Sequence, residues 1–162
     1  MRRGCLRIDL ERCPEGAKQE VITESKRTYR SVPVNDVKQP ELLVQFSGRA
    51  VVIAIDVAKH ALKAAVIDRE KGDIVSFWGW RAPDDTRKFV SLVSSLAEVA
   101  RVEVVLEPTG TYGDPLRSLF GALSIPVFKV SAKHTHDAAE IYDGVPSQHD
   151  AKCAAIIGWL HC

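Results

Sequence analysis

The sequence predicts an α/β domain in which a mixed five-stranded sheet is flanked by helices. Three apolar, β-rich segments follow one another directly from residue 49 onward, and further apolar segments then alternate with stretches of helical periodicity. Hydrophobic residues make up 46% of the 162 residues and charged residues 27%, which are ordinary values for a globular protein. The length suits one domain with an extension.

The first part of the chain differs in composition from the rest. Residues 1–48 mix charges of both signs with Pro14, Pro33 and Pro40, and their apolar periodicity is weak. We expect residues 1–48 to be a partly disordered extension, with a short strand over Glu41 to Phe46, and residues 49–162 to be the folded domain. A solvated tail is favoured over a segment that touches a phosphate backbone.

The first half of the domain predicts an antiparallel meander. The segments AVVIAIDVA, ALKAAVID and IVSFWGW are joined by short connections such as REKGD. Trp78 and Trp80 alternate on one face of the third strand, so we interpret them as packing residues rather than platforms for nucleic-acid bases.

The second half predicts alternating helices and parallel strands. A helix runs from Thr86 to about Ala100 behind the cap candidates Asp84 and Asp85, and RVEVVLEPTG is a buried strand that ends at Glu107. A helix from Asp114, the strand SIPVFKVS and the helical segments HTHDAAEIY and HDAKCAAIIGWLH complete the order β-β-β-α-β-α-β-α-α. That is the order of RNase H-like nucleases and integrases, whereas a doubly wound nucleotide-binding fold fits poorly because G-x-G-x-x-G is missing.

Three acids occupy positions that indicate a shared site. Asp56 lies within one apolar strand, Glu107 ends another, and Asp150 opens the final helix. Carboxylates at the ends of adjacent parallel strands converge at one edge of the sheet, where a divalent cation offsets their repulsion. Two Mg²⁺ ions held in this way would support phosphoryl transfer.

Each acid also has a purely structural interpretation. Asp56 could pair with Lys59 or His60, Glu107 could cap the turn that follows it, and Asp150 is a good helix N-cap by itself. The functional interpretation depends on all three acids occurring together in this strand order.

Composition excludes several classes of protein. No apolar run reaches the roughly 18 residues of a membrane span. The net charge of +1 argues neither for nor against DNA binding, since it gives no strong basic field. The first residues lack the apolar core of a secretory signal, and the four cysteines form no C-x-x-C pair. We therefore expect reduced thiols, no membrane partner and a cytoplasmic location.

At three blocks the chain resembles the DEDD transposases of the insertion-sequence 110 family, which are relatives of the pilin-gene invertases. AIDVAKHALKAAVID is similar to the family's G-I-D-V-S-K opening, VVLEPTGTYGDPLRSLFGALSIPVFKVS to its E-x-T-G-x-Y block, and GVPSQHDAKCAAIIGWLH to its K-T-D-x-x-D-A block. The resemblance covers residues 50 to 162, and it implies a RuvC-like RNase H fold.

The resemblance also implies a catalytic and metal-binding set that uses Mg²⁺. Asp56, Glu107 and Asp150 match the first three acids of the family, and Cys153 stands where the fourth acid is expected. Asp150 and Cys153 are one helical turn apart on one face. Because a thiol is a poor ligand for Mg²⁺, we expect Mg²⁺ binding to be weak or absent.

The resemblance further implies DNA transposition by metal-dependent strand cleavage and transfer. The implied partners are double-stranded DNA of element ends and targets, a structured guide RNA in at least some members, and further copies of the chain in a homo-oligomer. Because the family's C-terminal domain does not follow Cys162, we expect a truncated and inactive copy. Lys59, Lys129 and Lys133 are candidates for contact with a phosphate backbone.

Two other functions compete with catalysis. The chain could be a non-catalytic remnant that serves as an oligomerisation or DNA-binding module, which Cys153 favours. A zinc site is the less favoured alternative, because its four candidate ligands are spread over the last helix: His149, Cys153, His161 and Cys162.

Overall fold

A computed structural model describes residues 29–107, 110–144 and 149–162 of the chain. Its elements in chain order are β1 (Ser31–Pro33), a single 3-10 turn (Val34–Asp36), α1 (Gln39–Phe46), β2 (Ala50–Asp56), β3 (Ala61–Asp68), β4 (Asp73–Arg81), α2 (Thr86–Val99), β5 (Arg101–Leu106), α3 (Asp114–Ala122), β6 (Val127–Lys129), α4 (Ala132–Asp143) and α5 (Asp150–His161).

The described strands form one mixed sheet in the order β1-β4-β3-β2-β5-β6. β2, β3 and β4 are the predicted antiparallel meander, while β5 lies parallel to β2 and β6 parallel to β5. The sheet has six strands rather than the predicted five, because β1 adds a short parallel strand beside β4. The order of the other five agrees with the prediction.

The prediction of a strand over Glu41 to Phe46 is wrong, because this segment lies within helix α1. Leu42 and Phe46 are one helical turn apart and both are buried, whereas Val44 between them is 81% exposed. Pro40 fits the first turn of a helix, where no hydrogen-bonded N–H is lost. The described part of the predicted extension therefore packs on the domain. Residues 1–28 lie outside the described residues.

One face of the sheet is covered by α1, α2 and α3. Apolar residues from these helices pack on strand residues at alternate positions, such as Val51, Ile53 and Ile55 of β2. Trp80 stacks on Phe89 of α2 with ring centroids 3.8 Å apart, and Trp78 meets the same ring edge-on. Both tryptophans are buried, so the packing interpretation is confirmed.

The other face is covered by α5, with α4 packed against it. Ala151, Ala154 and Ala155 of α5 lie on small strand residues that include Ala54 and Ala65. Small side chains on both sides let the helix approach the sheet closely. This close approach brings the first turn of α5 to the carboxyl-terminal edge of β2.

Gly158 of α5 is a test of this close contact. A Cβ at Gly158 would lie 2.1 Å from Ile67 Cδ1 and 3.1 Å from the Cβ of Ala54, so these buried neighbours would have to move. We expect Gly158→Ala to lower the free energy of unfolding by about 1–3 kcal/mol in spite of alanine's higher helix propensity.

The matched control for this prediction is Gly121→Ala in α3. A Cβ at Gly121 would have nothing within 4 Å, so the substitution should be neutral or stabilise the protein by up to about 1 kcal/mol. Urea unfolding of both variants measures the difference. Equal effects would contradict close packing of α5 on the sheet.

None of the described helices is both long enough and apolar enough to cross a membrane.

Candidate active site

Asp56 and Glu107 lie side by side at the ends of neighbouring parallel strands. Asp56 is the last residue of β2, and Glu107 directly follows β5. The register pairs Ile55 with Leu106, and the N–H of Glu107 donates to the carbonyl oxygen of Ile55 at 3.4 Å. The pairing therefore sets the two acids next to each other at this edge.

Both acids are on the face of the sheet that α5 covers. Residues at alternate positions share a face of a strand. Val52 and Ala54 pack against α5, so Asp56, at the next alternate position, lies on the same face. Val105 also belongs to this face, and Glu107 is at the next alternate position after it. Asp56 and Glu107 are half-buried.

The first turn of α5 supplies the third acid. Asp150 is the first residue of α5, and Cys153 lies one turn further on. His149 caps this helix, because its Nδ1 accepts a hydrogen bond of 3.2 Å from the backbone N–H of Lys152. The cap is therefore His149, and the carboxylate of Asp150 is not needed for that purpose.

Electrostatics links the three acids. Burial, followed by the negative charges of Asp150 and Glu107, raises the pKa of Asp56 to about 6. The charges of an acid on the neighbouring strand and of an acid in the first turn of α5 therefore both reach Asp56. That the three acids form one site stays a prediction.

Cys153 experiences the same negative field. Burial raises the pKa of its thiol to about 11, with further contributions from Asp56, Glu107 and Asp150, while Lys152 opposes them. The thiol is therefore protonated at neutral pH. A neutral thiol is neither a charge partner for the acids nor a ligand suited to Mg²⁺.

The acids are close but do not already form a ligand set. Within the described ranges, no three His, Cys, Asp or Glu side chains are grouped so that they could hold a metal ion. Two of the four candidate zinc ligands are engaged elsewhere: His149 caps α5, and His161 Nε2 lies 2.9 Å from Glu103 Oε2 at the other end of that helix.

Glu103 anchors the far end of α5. Although burial raises its pKa, hydrogen bonds from His161 and Arg69 lower it below the ordinary value. Arg69 and Glu103 also form an ion pair. The contact of His161 with Glu103 therefore fixes the C-terminal end of α5 on β5.

The three candidate lysines all lie at the edge that carries the acids. Lys59 is in the loop after β2, Lys129 ends β6, and Lys133 is in the first turn of α4. All three are exposed. Their contact with a phosphate backbone stays a prediction.

Sequence reasoning missed two lysines near the site. Lys63 of β3 is directly opposite Asp56 in the register, and Lys152 of α5 is only 2% exposed. The position of Lys63 could have been found from the alternation of β3. The burial of Lys152 had one signal, a single charge within the otherwise apolar segment that follows Asp150.

Comparison with known proteins decides the family. Residues 53–160 match the family model of the transposases of the DEDD, insertion-sequence 110 type, which is more than half of the chain. The chain belongs to this transposase family. The resemblance predicted from the three sequence blocks is thereby confirmed. No curated protein matches this transposase chain.

Solved structures support the fold of the transposase domain. RuvC of T. thermophilus, in complex with a Holliday junction substrate, aligns with a TM-score of 0.50 at 15% identity over 69% of this chain and 92% of RuvC. The RNase H-like, RuvC-like fold is therefore confirmed. A Bacteroides thetaiotaomicron protein with an actin-like ATPase fold gives a TM-score of 0.41 at 15% identity over 57% of this chain and 37% of its own. That score is too low to support a conclusion.

Proposed function

We propose that this transposase domain carries a divalent metal site for DNA strand cleavage and transfer, and that Cys153 weakens the site to the point of inactivity. Membership of the transposase family and the RuvC-like fold support a nuclease-type domain that acts in DNA recombination. The observation that carries the proposal is that Asp56 and Glu107 are neighbours at the ends of β2 and β5, on the face of the sheet that α5 covers.

The donors present fit Mg²⁺ at three positions and fail to fit it at the fourth. Three carboxylates supply the hard oxygen ligands that Mg²⁺ prefers. Burial and then the repulsion by Asp150 and Glu107 raise the pKa of Asp56, and a bound cation would offset the cost of its charge. The protonated thiol of Cys153 contributes neither charge nor a suitable ligand atom.

Metal ions at these carboxylates would activate the attacking oxygen and stabilise the leaving oxygen in phosphoryl transfer. The role of Asp56, Glu107 and Asp150 would be to hold the ions at the edge of the sheet. Because β2 and β5 fix the backbone of the first two acids, only the first turn of α5 has to adjust. The spacing of Asp150 and Cys153 lets both positions serve one ion.

We expect Cys153→Asp to tighten Mn²⁺ and Mg²⁺ binding by about tenfold or more, since it adds a fourth carboxylate one helical turn from Asp150. Calorimetric titration of the wild-type and variant proteins measures the two affinities. Cys153→Ser is the matched control, because it changes the thiol without adding charge. Equal affinities for all three proteins would overturn the shared site.

Cleavage by the wild-type protein is the direct test of the inactivity. We expect no cleavage of DNA that carries element ends, in Mg²⁺, by the chain as it stands. Cleavage that disappears in Asp56→Ala would show that the acids suffice and that Cys153 does not abolish activity.

The partners follow from the family. We propose that the domain acts on double-stranded DNA of element ends and targets, within a homo-oligomer, with a structured guide RNA as a further partner. The solved relative supports only the DNA part, since that RuvC structure contains a Holliday junction substrate. The alternative function, a non-catalytic module that binds DNA or other transposase subunits, is favoured by Cys153 and predicts binding without a metal requirement.

A further inference from the structure

A cleft of about 310 Å³ lies at the edge of the sheet that carries the candidate acids. It is formed where β1 ends beside β4 and β3, and its lining includes Ser31, Lys63, Gly79, Trp80 and Arg81. Lys63 is paired with Asp56 of β2 on one side and with Gly79 of β4 on the other. One row of cross-strand neighbours, Asp56, Lys63 and Gly79, therefore leads from the acids to the cleft.

Lys63 does not serve as a charge partner for Asp56. Its ammonium donates instead to the hydroxyl of Ser31 at 2.6 Å, and the described residues place no carboxylate within ion-pair distance of it. The pKa of Asp56 is raised, which is the opposite of what a close ammonium would cause. The amine thus points a positive charge toward β1.

Gly79 makes room for this amine. A Cβ at Gly79 would lie 2.8 Å from Lys63 Nζ and 3.3 Å from Ser31 Oγ. The missing side chain therefore leaves the space over β4 in which the ammonium sits. Ser31 and Gly79 together fix the position of a half-buried cation.

A second cation of the cleft also lacks a counter-charge. Arg81 is exposed at the end of β4 and makes no ion pair with any described residue. The side chain of Trp80 does not contribute, because it packs on Phe89 at the opposite face of the sheet. Asp85, the acid of the cleft, already accepts a hydrogen bond of 3.0 Å from Asn35.

We propose that this cleft is a phosphate-binding subsite that seats the sugar–phosphate backbone of a DNA strand beside Asp56. This inference rests on the proposed function for the direction in which the DNA strand runs. The cross-strand neighbours Asp56, Lys63 and Gly79 join the cleft to the acids. Lys63 and Arg81 supply the charge, and Ser31 and Gly79 position Lys63.

The test is DNA affinity measured by fluorescence anisotropy, in EDTA and at low salt, with fluorescein-labelled single-stranded and duplex oligonucleotides. The combined substitution Lys63→Gln with Arg81→Gln should weaken binding by about tenfold or more and reduce the slope of log affinity against log salt by about one or two. Lys71→Gln with Arg101→Gln is the matched control, because it removes the same charges at the opposite edge of the sheet and should change affinity by less than about threefold.

One single variant tests the positioning. Gly79→Ala displaces the amine of Lys63. It should weaken DNA binding several-fold while circular dichroism shows a wild-type fold. Unchanged DNA affinity in the Lys63/Arg81 variant, or no DNA binding by the wild-type protein, would overturn the subsite.

Failure of the subsite can be told apart from failure of the metal site. The Lys63/Arg81 variant should retain the Mn²⁺ affinity of the wild-type protein, since neither residue is a proposed ligand. Conversely, Asp56→Asn should lose Mn²⁺ binding and keep DNA binding in EDTA. Loss of DNA binding alone in Asp56→Asn would contradict the subsite. Persistence of Mn²⁺ binding in Asp56→Asn would contradict the proposed function.

Discussion

Replacement of Asp143 by alanine is expected to lower the free energy of unfolding by about 3 kcal/mol. Asp143 ends α4, and its Oδ1 lies 2.6 Å from Nζ of Lys152 in the first turn of α5. The Lys152 side chain is 2% exposed, whereas that of Asp143 is 27% exposed. Removal of the carboxylate therefore takes a close counter-charge from a lysine that water cannot reach.

The opposite substitution should cost less. Lys152→Met keeps most of the volume and removes the buried charge, while the remaining Asp143 is open to water and still accepts a hydrogen bond from the Tyr29 hydroxyl at 3.3 Å. We expect a loss of about 1 kcal/mol, and we expect the double variant to be more stable than Asp143→Ala alone. Urea unfolding of the four proteins gives these values. A loss below about 0.5 kcal/mol in Asp143→Ala would contradict the argument.

The helix dipoles do not favour this ion pair. Lys152 lies near the positive N-terminal end of α5, and Asp143 lies near the negative C-terminal end of α4. The pair therefore depends on its short distance and burial. Since Lys152 stands between Asp150 and Cys153, the pair also fixes the turn of α5 that faces the candidate acids.

Without a divalent metal, Asp56→Asn is expected to stabilise the protein at about pH 7.5 by about 2 kcal/mol, after allowance for solvent screening of a half-buried group. The pKa of Asp56 is raised from 3.8 in the unfolded chain to about 6 in the folded one. A raised acid pKa means that the folded state holds the proton more tightly. Stability therefore falls as the pH rises from about 4 to 6, and the full cost is present above pH 6.

The measurement is urea unfolding of both proteins in EDTA at several pH values. The difference between them should disappear below about pH 4, where Asp56 is protonated in both the folded and the unfolded state. Added Mn²⁺ should stabilise the wild-type protein at the higher pH and leave Asp56→Asn unchanged. If the wild-type protein is as stable as Asp56→Asn throughout, the charge of Asp56 does not carry the cost of burial and of its acidic neighbours that its raised pKa indicates.

Most of the sheet could be predicted from the sequence because period-two and helical apolar patterns distinguish its strands and helices. The meander of β2, β3 and β4 and the alternation after Thr86 are local patterns of this kind. Helix α1 was mistaken for a strand because four of its six residues from Glu41 to Phe46 are apolar, which hides the helical spacing of Leu42 and Phe46. Its eight residues make only about two turns, which is too few for the helical period to stand out.

The candidate site divides in the same way. The sequence by itself determined which residues carry the acids, that Cys153 replaces one of them, and which family the chain belongs to, since these depend on residue identity and local spacing. Only the tertiary structure decided that α5 lies across β2 beside Asp56, that Lys152 is buried against Asp143, and that Lys63 turns toward Ser31. These are contacts between residues distant in the chain, and they depend on how closely small side chains allow a helix to approach a sheet.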